Sequence, residues 1–205
     1  MEYTIKAIET KFQGFVFRSR LEAKWAVMFE LLGWDWDYEP CDFDGWIPDF
    51  AIYGKRPIYV EVKPVVDFPE DVARKLNSSG CKDPMLIVGQ RCIVDRHLSD
   101  NVQSNHAYYR SFGWTTEHPC SNRFYSCDSC DWCDMPWEPW WSGAVFGRWK
   151  SAKGKIGFSH NVGAWFDRIS GEYDKAPYGD LKLTRIEINE MWAQAHNVIR
   201  WTKTN

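Results

Sequence analysis

Much that would assign a class quickly is missing from this chain. No run approaches the roughly 18 apolar residues of a membrane-crossing helix, so no membrane partner is expected. The opening stretch "MEYTIKAIETKFQGF" lacks the basic-then-apolar layout of a secretory signal. No internal repeat or low-complexity tract is evident. An excess of positive charge is also absent, since 25 Lys and Arg stand against 28 Asp and Glu, for a net charge of −3. That balance does not point to nucleic acid, because phosphate contacts favour a basic surface. It does not exclude nucleic acid either, because an acidic catalytic centre offsets local basic patches. Candidate patches are Lys11, Arg18, Arg20 and Lys24, and the later stretch "GRWKSAKGK".

What is present describes a globular chain. Its 205 residues suffice for one sizeable domain, or one domain with a small appendage. The chain is 44% hydrophobic and 26% charged, which allows a compact core. Aromatics make up 17%, including 13 Trp, which bring large buried area and flat stacking surfaces. The seven Cys are an odd number, and four of them crowd into residues 120–133. This pattern points to metal ligation in a reducing compartment more than to a disulfide framework, so a cytoplasmic location is expected.

The strongest helical pattern is "FRSRLEAKWAVMFELL", residues 17–32. Leu21, Trp25, Met28, Phe29 and Leu32 make one apolar stripe at helical spacing. Ser19 caps its start, Gly33 fits its stop, and Glu22 lies beside the stripe. "WDWDYEP" alternates as a short strand, and "PDFAIY" and "PIYVEVK" form a hairpin around the turn "GKR". "PEDVARKLNS" reads as a helix with Pro69 at its start. "PMLIVGQ" reads as a buried strand. Beyond residue 91 the pattern is loop-like until a final amphipathic helix through Ile188, Met191, Trp192, Ala195 and Ile199. Periodicity leaves "LKLTRIEI" open between helix and strand.

Within the hairpin, Asp49, Glu61 and Lys63 are charges in otherwise apolar strands. Side chains alternate faces along a strand, so Ile58, Val60 and Val62 point one way, and Tyr59, Glu61 and Lys63 the other. The hairpin brings Asp49 opposite them. Two close carboxylates repel, and one takes up a proton unless a cation sits between them. Mg²⁺ suits such a pair because it is hard and prefers oxygen ligands. A metal-bound water has a lowered pKa and can attack a phosphodiester. The alternative is a solvated sheet face with a Glu61–Lys63 pair worth little.

"Pro48-Asp49", eleven residues, then "Glu61-Val62-Lys63" resembles the signature of the PD-(D/E)XK nuclease superfamily. "FRSRLEAKWA" resembles the opening helix of that core, with Glu22 in the place of its acidic residue. The resemblance covers residues 12–90 and implies an α/β (α+β) fold. That fold has a restriction-endonuclease-like αβββαβ core around a central mixed sheet flanked by helices. The resemblance does not extend to the Cys-rich segment or the C-terminal helix, so the expected division is a nuclease core at 1–95, a Cys/Trp-rich insert at 96–160 with a candidate zinc site, and a C-terminal segment at 161–205 whose helix packs on the core. It also implies a catalytic set of Glu22, Asp49, Glu61 and Lys63. Asp49 and Glu61 would hold Mg²⁺ or Mn²⁺ with the Val62 backbone carbonyl, and Glu22 directly or through water. Lys63 would be the catalytic lysine, supplying its ammonium to the developing charge or helping to position and deprotonate the water. Lys11, Arg18, Arg20 and Lys24 would bind nucleic acid, while Asp44 and Glu39 are nearby acids that could contribute and are taken as solvated by default. The reaction implied is hydrolysis of duplex or branched DNA, with a homodimer expected for a branch-specific enzyme. The compact core resembles those of phage or mobile-element nucleases. The competing reading is a catalytically silent nucleic-acid or protein-binding module on the same scaffold.

Cys120, Cys127, Cys130 and Cys133 are spaced C-x6-C-x2-C-x2-C, which fits a structural Zn²⁺ site. His118 could replace one thiolate. The alternative is a set of free or buried thiols in an aromatic insert. Cys41, Cys81 and Cys92 read as buried small residues, and His97, His106, His160 and His196 have no ligand-like spacing. "MPWEPWW" is either a stacking surface for unpaired bases or packing around the metal knot.

Overall fold

The computed structural model describes residues 7–92, 111–117, 140–148, 155–160, 167–171 and 183–201. A small hairpin opens the chain, β1 (Thr10–Phe12) against β2 (Phe15–Phe17). Its two-residue turn needs positive φ twice, and Gln13 (+45°) and Gly14 (+86°) provide it. Three-residue strands carry too little alternation to be seen in sequence.

Helix α1 (Arg20–Leu32) follows, capped by Ser19 and stopped by Gly33 in the left-handed conformation at φ 71°. The expected apolar stripe is only part of its buried surface, because Ala23, Ala26 and Val27 are buried as well. The added burial comes from a second helix, α3 (Arg185–Trp201), which packs on α1. Trp25 and Trp192 meet there with ring centroids 4.7 Å apart. The stretch "LKLTRIEI" resolves as the approach to α3, since Arg185 to Ile188 are helical.

The strands β3 (Asp35–Tyr38), β4 (Phe50–Tyr53), β5 (Pro57–Val62) and β6 (Met85–Val88), with α2 (Glu70–Asn77) between β5 and β6, follow the order read from sequence. β3, β4 and β5 pair antiparallel, and β6 lies parallel to β5. The order α1-β3-β4-β5-α2-β6 is therefore αβββαβ, and the fold is mixed α+β around one large mixed sheet.

That sheet does not end at β6. β7 (Gly113–Glu117), β8 (Trp140–Arg148) and β9 (Ile156–His160) extend it antiparallel to seven strands. The described parts of 96–160 thus share the sheet of β3 to β6. Loop-like composition concealed these strands, since β7 and β8 stand on either side of the Cys-rich stretch.

Alternation divides the core into two layers. Ile58, Val60 and Val62 of β5 and Leu86 and Val88 of β6 face the cluster that contains α1 and α3. Met85 and Ile87 of β6 face the opposite cluster, with Ala73 and Leu76 of α2, Trp46 and Trp114. Helices therefore cover both faces of β5 and β6, which explains why β6 is buried at every position. No helix among the described residues is long and apolar enough to cross a membrane.

Candidate functional site

The hairpin register decides which charges meet. Phe50 pairs with Val60 in the antiparallel β4–β5 ladder, so Asp49 stands across from Glu61 one step further. Asp49 Oδ2 accepts a hydrogen bond from the Val62 backbone N–H at 2.7 Å. Glu61 Oε1 pairs with Lys63 Nζ at 2.5 Å. Asp49 (3% exposed) and Glu61 (7%) are both buried. Val62 lies between Glu61 and Lys63 in sequence and turns its side chain into the core, which fixes the strand end that carries the charges.

Glu22 reaches this region from the first turn of α1, and its place there has a local cause. The Ser19 hydroxyl accepts from the Glu22 backbone N–H at 3.2 Å and donates to Glu22 Oε1 at 2.7 Å. Glu22 Oε2 accepts from the Arg18 backbone N–H at 3.2 Å. Ser19-x-x-Glu22 is thus a variant of the capping box, with the Arg18 N–H in place of the Ser19 N–H, and it holds the carboxylate at the helix start. Tyr38, from β3, donates its phenol hydrogen to Glu22 Oε2 at 2.7 Å. Burial, and then this bond to Glu22, raise the Tyr38 pKa above its ordinary value, so it donates as a neutral phenol.

Arg18 enters the same space. Its guanidinium pairs with Asp49 Oδ1 at 2.5 Å and Glu39 Oε1 at 3.1 Å. Partial burial works against the Arg18 cation, but Asp49, Tyr38 and Glu39 more than offset it, and its pKa lies above the ordinary value. Asp49 moves the other way for an acid. Burial first, and then the charge of Glu61, push its pKa up to about 7, against the pull of Lys63 and the Val62 N–H. An aspartate that titrates near neutrality in a cluster of acids is a common mark of a functional centre.

Glu22, Asp49, Glu61 and Lys63 therefore meet in one region formed by α1, the start of β4 and the end of β5. The three carboxylates do not converge around one point, and each has its own donors. Among the described residues, no three His, Cys, Asp or Glu side chains are gathered as ligands would be.

Of the basic residues expected on nucleic acid, Lys11 and Arg20 are exposed. Arg18 lies on the carboxylates instead of pointing away from them. Lys24 stacks over the Trp192 ring at 3.6 Å, and burial, opposed by Cys92, pushes its pKa down to about 8. Cys120, Cys127, Cys130, Cys133 and His118 lie outside the described residues. From the Trp-rich stretch, Trp141 donates its indole N–H to Asn77 Oδ1 at 2.9 Å and so packs on α2.

Sequence reasoning missed three contributors. Trp46 donates its indole N–H to Glu61 Oε2 at 2.7 Å from a tight turn closed by Phe43. That turn requires positive φ at Asp44 (+24°) and Gly45 (+89°), and Asp44 itself is exposed. Tyr38 could have been found from the alternation of β3, which puts it inward with Trp36. Glu39 reads as a solvated acid in sequence, yet it binds Arg18. The Ser19-x-x-Glu22 spacing was available as a signal for the capping box. Comparison with family models, with curated proteins and with solved structures gives no match to this chain.

Proposed function

We propose that the chain is a metal-dependent endonuclease that hydrolyses DNA phosphodiester bonds, with a restriction-endonuclease-like core of the PD-(D/E)XK type. The observation that carries this reading is the hairpin register, which sets Asp49 across from Glu61 with Lys63 Nζ on the Glu61 carboxylate. The donor set suits a hard divalent cation, because it offers buried carboxylate oxygens on adjoining strands and crowding that raises the Asp49 pKa. Asp49, Glu61 and the Val62 carbonyl would hold Mg²⁺ or Mn²⁺, with Glu22 joining directly or through water. Such an ion supplies Lewis-acid stabilisation of phosphoryl charge and lowers the pKa of a water.

The remaining work belongs to the chain. Lys63 brings an ammonium to the edge of the centre, where it can stabilise charge developing on phosphate or hold a proton. Trp46 fixes Glu61, and Tyr38 fixes Glu22, each through one donated hydrogen bond. Arg20 and Lys11 offer exposed cations for the DNA backbone, which supplies affinity without sequence preference. A structural Zn²⁺ held by Cys120, Cys127, Cys130 and Cys133 belongs to the same proposal, with metal analysis as its check.

The test is a cleavage panel of plasmid, linear duplex, single-stranded and branched DNA with Mg²⁺ or Mn²⁺. Cleavage is expected from the natural chain and not from Asp49→Ala or Lys63→Ala. Activity that persists in either purified variant would sink the assignment. A second reading has its own support, since Arg18 and Lys63 already neutralise the carboxylates. A silent binding module would bind DNA tightly and cut none of these substrates under any metal.

A further inference from the structure

Arg18 reaches three carboxylates, Asp49 at 2.5 Å, Glu39 at 3.1 Å and Glu22 at 3.9 Å. The two ends of its main pair differ in exposure. The Asp49 side chain is 4% exposed, whereas that of Arg18 is 56% exposed. The Arg18 backbone is nonetheless pinned, because its N–H donates to Glu22 Oε2 at 3.2 Å and to the Tyr38 hydroxyl at 3.1 Å. A fixed backbone with an exposed guanidinium is an arm that can turn without moving the fold. Glu39, the alternative partner, adopts the left-handed region at φ 48°. Its backbone N–H donates to the Asp49 carbonyl at 3.1 Å, which keeps it beside Asp49. A guanidinium grips carboxylate and phosphate through the same planar fork, so a phosphodiester competes directly with Asp49 for Arg18.

We propose that Arg18 is an exchangeable counter-ion that couples divalent-cation binding at Asp49 to binding of nucleic-acid phosphate. The inference rests on the nuclease reading above. Without nucleic acid, the guanidinium neutralises Asp49 and competes with a divalent cation for its Oδ1. A backbone phosphate takes the guanidinium, Glu39 remains its steadying partner, and Asp49 becomes available to the cation. Cation and nucleic acid then bind cooperatively, and linkage requires each to raise the affinity of the other by the same factor. A fixed structural ion pair would lower cation affinity as well, but it would create no such coupling.

The test is calorimetric titration of Mn²⁺ into the full chain, alone and with a short phosphorothioate duplex shown to be intact by gel. The duplex is expected to tighten Mn²⁺ binding about tenfold in the natural chain. In Arg18→Gln, Mn²⁺ binds the free protein about tenfold more tightly than in the natural chain, and the duplex adds less than about twofold. The salt dependence of duplex binding becomes shallower by about one unit in that variant, as for one lost phosphate contact. An equal duplex effect in both proteins overturns the inference. Asp49→Asn separates the two levels of reading. Unchanged Mn²⁺ binding in Asp49→Asn removes the proposed metal centre and this inference with it. Loss of binding there, with full coupling kept in Arg18→Gln, removes this inference alone. Should Arg18→Gln unfold, Arg18→Lys carries the same test, because it keeps the charge and loses the two-point grip. Coupling is expected to fall in Arg18→Lys, and undiminished coupling would overturn the inference.

Discussion

Two aspartates are buried almost equally, Asp49 at 3% exposure and Asp167 at 1%, and they are satisfied in opposite ways. Asp167 accepts from the backbone N–H groups of Phe158 (3.2 Å), Ile169 (3.0 Å) and Ser170 (3.0 Å), and from the Ser170 hydroxyl. Every donor is neutral and fixed, and three of them are backbone. Asp49 has one backbone donor, Val62, and one exposed cation, Arg18, and it faces the charges of Glu61 and Glu22. Burial alone therefore does not mark a site. A carboxylate held by immobile neutral donors ties β9 to the 167–171 turn. One held by an exposed cation can exchange that partner for another.

The widest separation between the two is expected in stability. Asp167→Ala leaves the buried Phe158 N–H and the part-buried Ile169 and Ser170 N–H groups without an acceptor, the buried one costing about 1–3 kcal/mol and the others less. A total loss of roughly 3–5 kcal/mol follows, or a fall in Tm of about 6–20 °C for a chain of this size. Gly157→Ala should act similarly, because a Cβ there collides with the Asp167 carboxylate. Asp49→Asn is expected to do the reverse, holding or raising the Tm of the metal-free protein at pH 8. The same change should reduce cleavage at least about a thousandfold, equivalent to about 4 kcal/mol of transition-state stabilisation. Thermal melts beside cleavage rates check both. Equal destabilisation by Asp49→Asn and Asp167→Asn would erase the distinction.

The pH dependence sharpens the same contrast. The folded pKa of Asp49 is about 7 against an ordinary value of 3.8, so the folded chain binds the proton more tightly than the unfolded chain. The stability associated with that proton is fully present below about pH 3.8 and is lost as pH rises through about 7. Its size is on the order of a few kcal/mol. Urea melts of the metal-free protein should show falling stability between these limits, and Asp49→Asn should flatten that slope. A natural chain whose stability rises with pH across this window, with no difference in Asp49→Asn, would contradict the assignment of the shift.

The sequence was legible where local signals agree. The α1 caps Ser19 and Gly33, the hairpin turn and the alternation of β5 each have a short-range cause, so α1 through β6 could be read from the chain itself. The partners of the site charges could not be read so directly. Arg18 looked like a free cation because nothing local places Asp49, 31 residues away, within reach of its guanidinium. Strands β7 to β9 were hidden because the β6–β7 and β7–β8 pairings are long-range and all three strands are interrupted by Gly, as at Gly113, Gly143, Gly147 and Gly157. Asp167 went unnoticed for a related reason, since its donors are backbone groups of a turn and of β9. Gly54 belongs to the same set. A Cβ there would strike the Ile169 carbonyl, while Lys55 N–H donates to that same oxygen at 2.9 Å. The 167–171 turn is thus clamped to the β4–β5 hairpin by contacts that no sequence pattern announces.

The smallest effects separate two helix starts built on one motif. Ser19-x-x-Glu22 opens α1 and Thr184-x-x-Glu187 opens α3; the second is a closed capping box, whereas Glu22 accepts from the Arg18 N–H one residue before the cap. Glu187 is solvent-facing and bonds the Thr184 N–H at 2.7 Å, which with the Thr184 hydroxyl holds its pKa below the ordinary carboxylate range. Glu22 is buried at 7% exposure and shares its second oxygen with Tyr38. Thr184→Ala and Ser19→Ala should each cost about 1 kcal/mol, the usual value of a cap. Glu187→Gln should change stability by only a few tenths of a kcal/mol, because a neutral amide can still accept the capping bond. Glu22→Gln should fold as well as Glu187→Gln, for the same reason, yet lower cleavage by about a hundredfold or more, because it removes a charge from the proposed cation centre. If Glu22→Gln instead cuts DNA at the natural rate, Glu22 is a cap and nothing more, and the centre reduces to Asp49, Glu61 and Lys63.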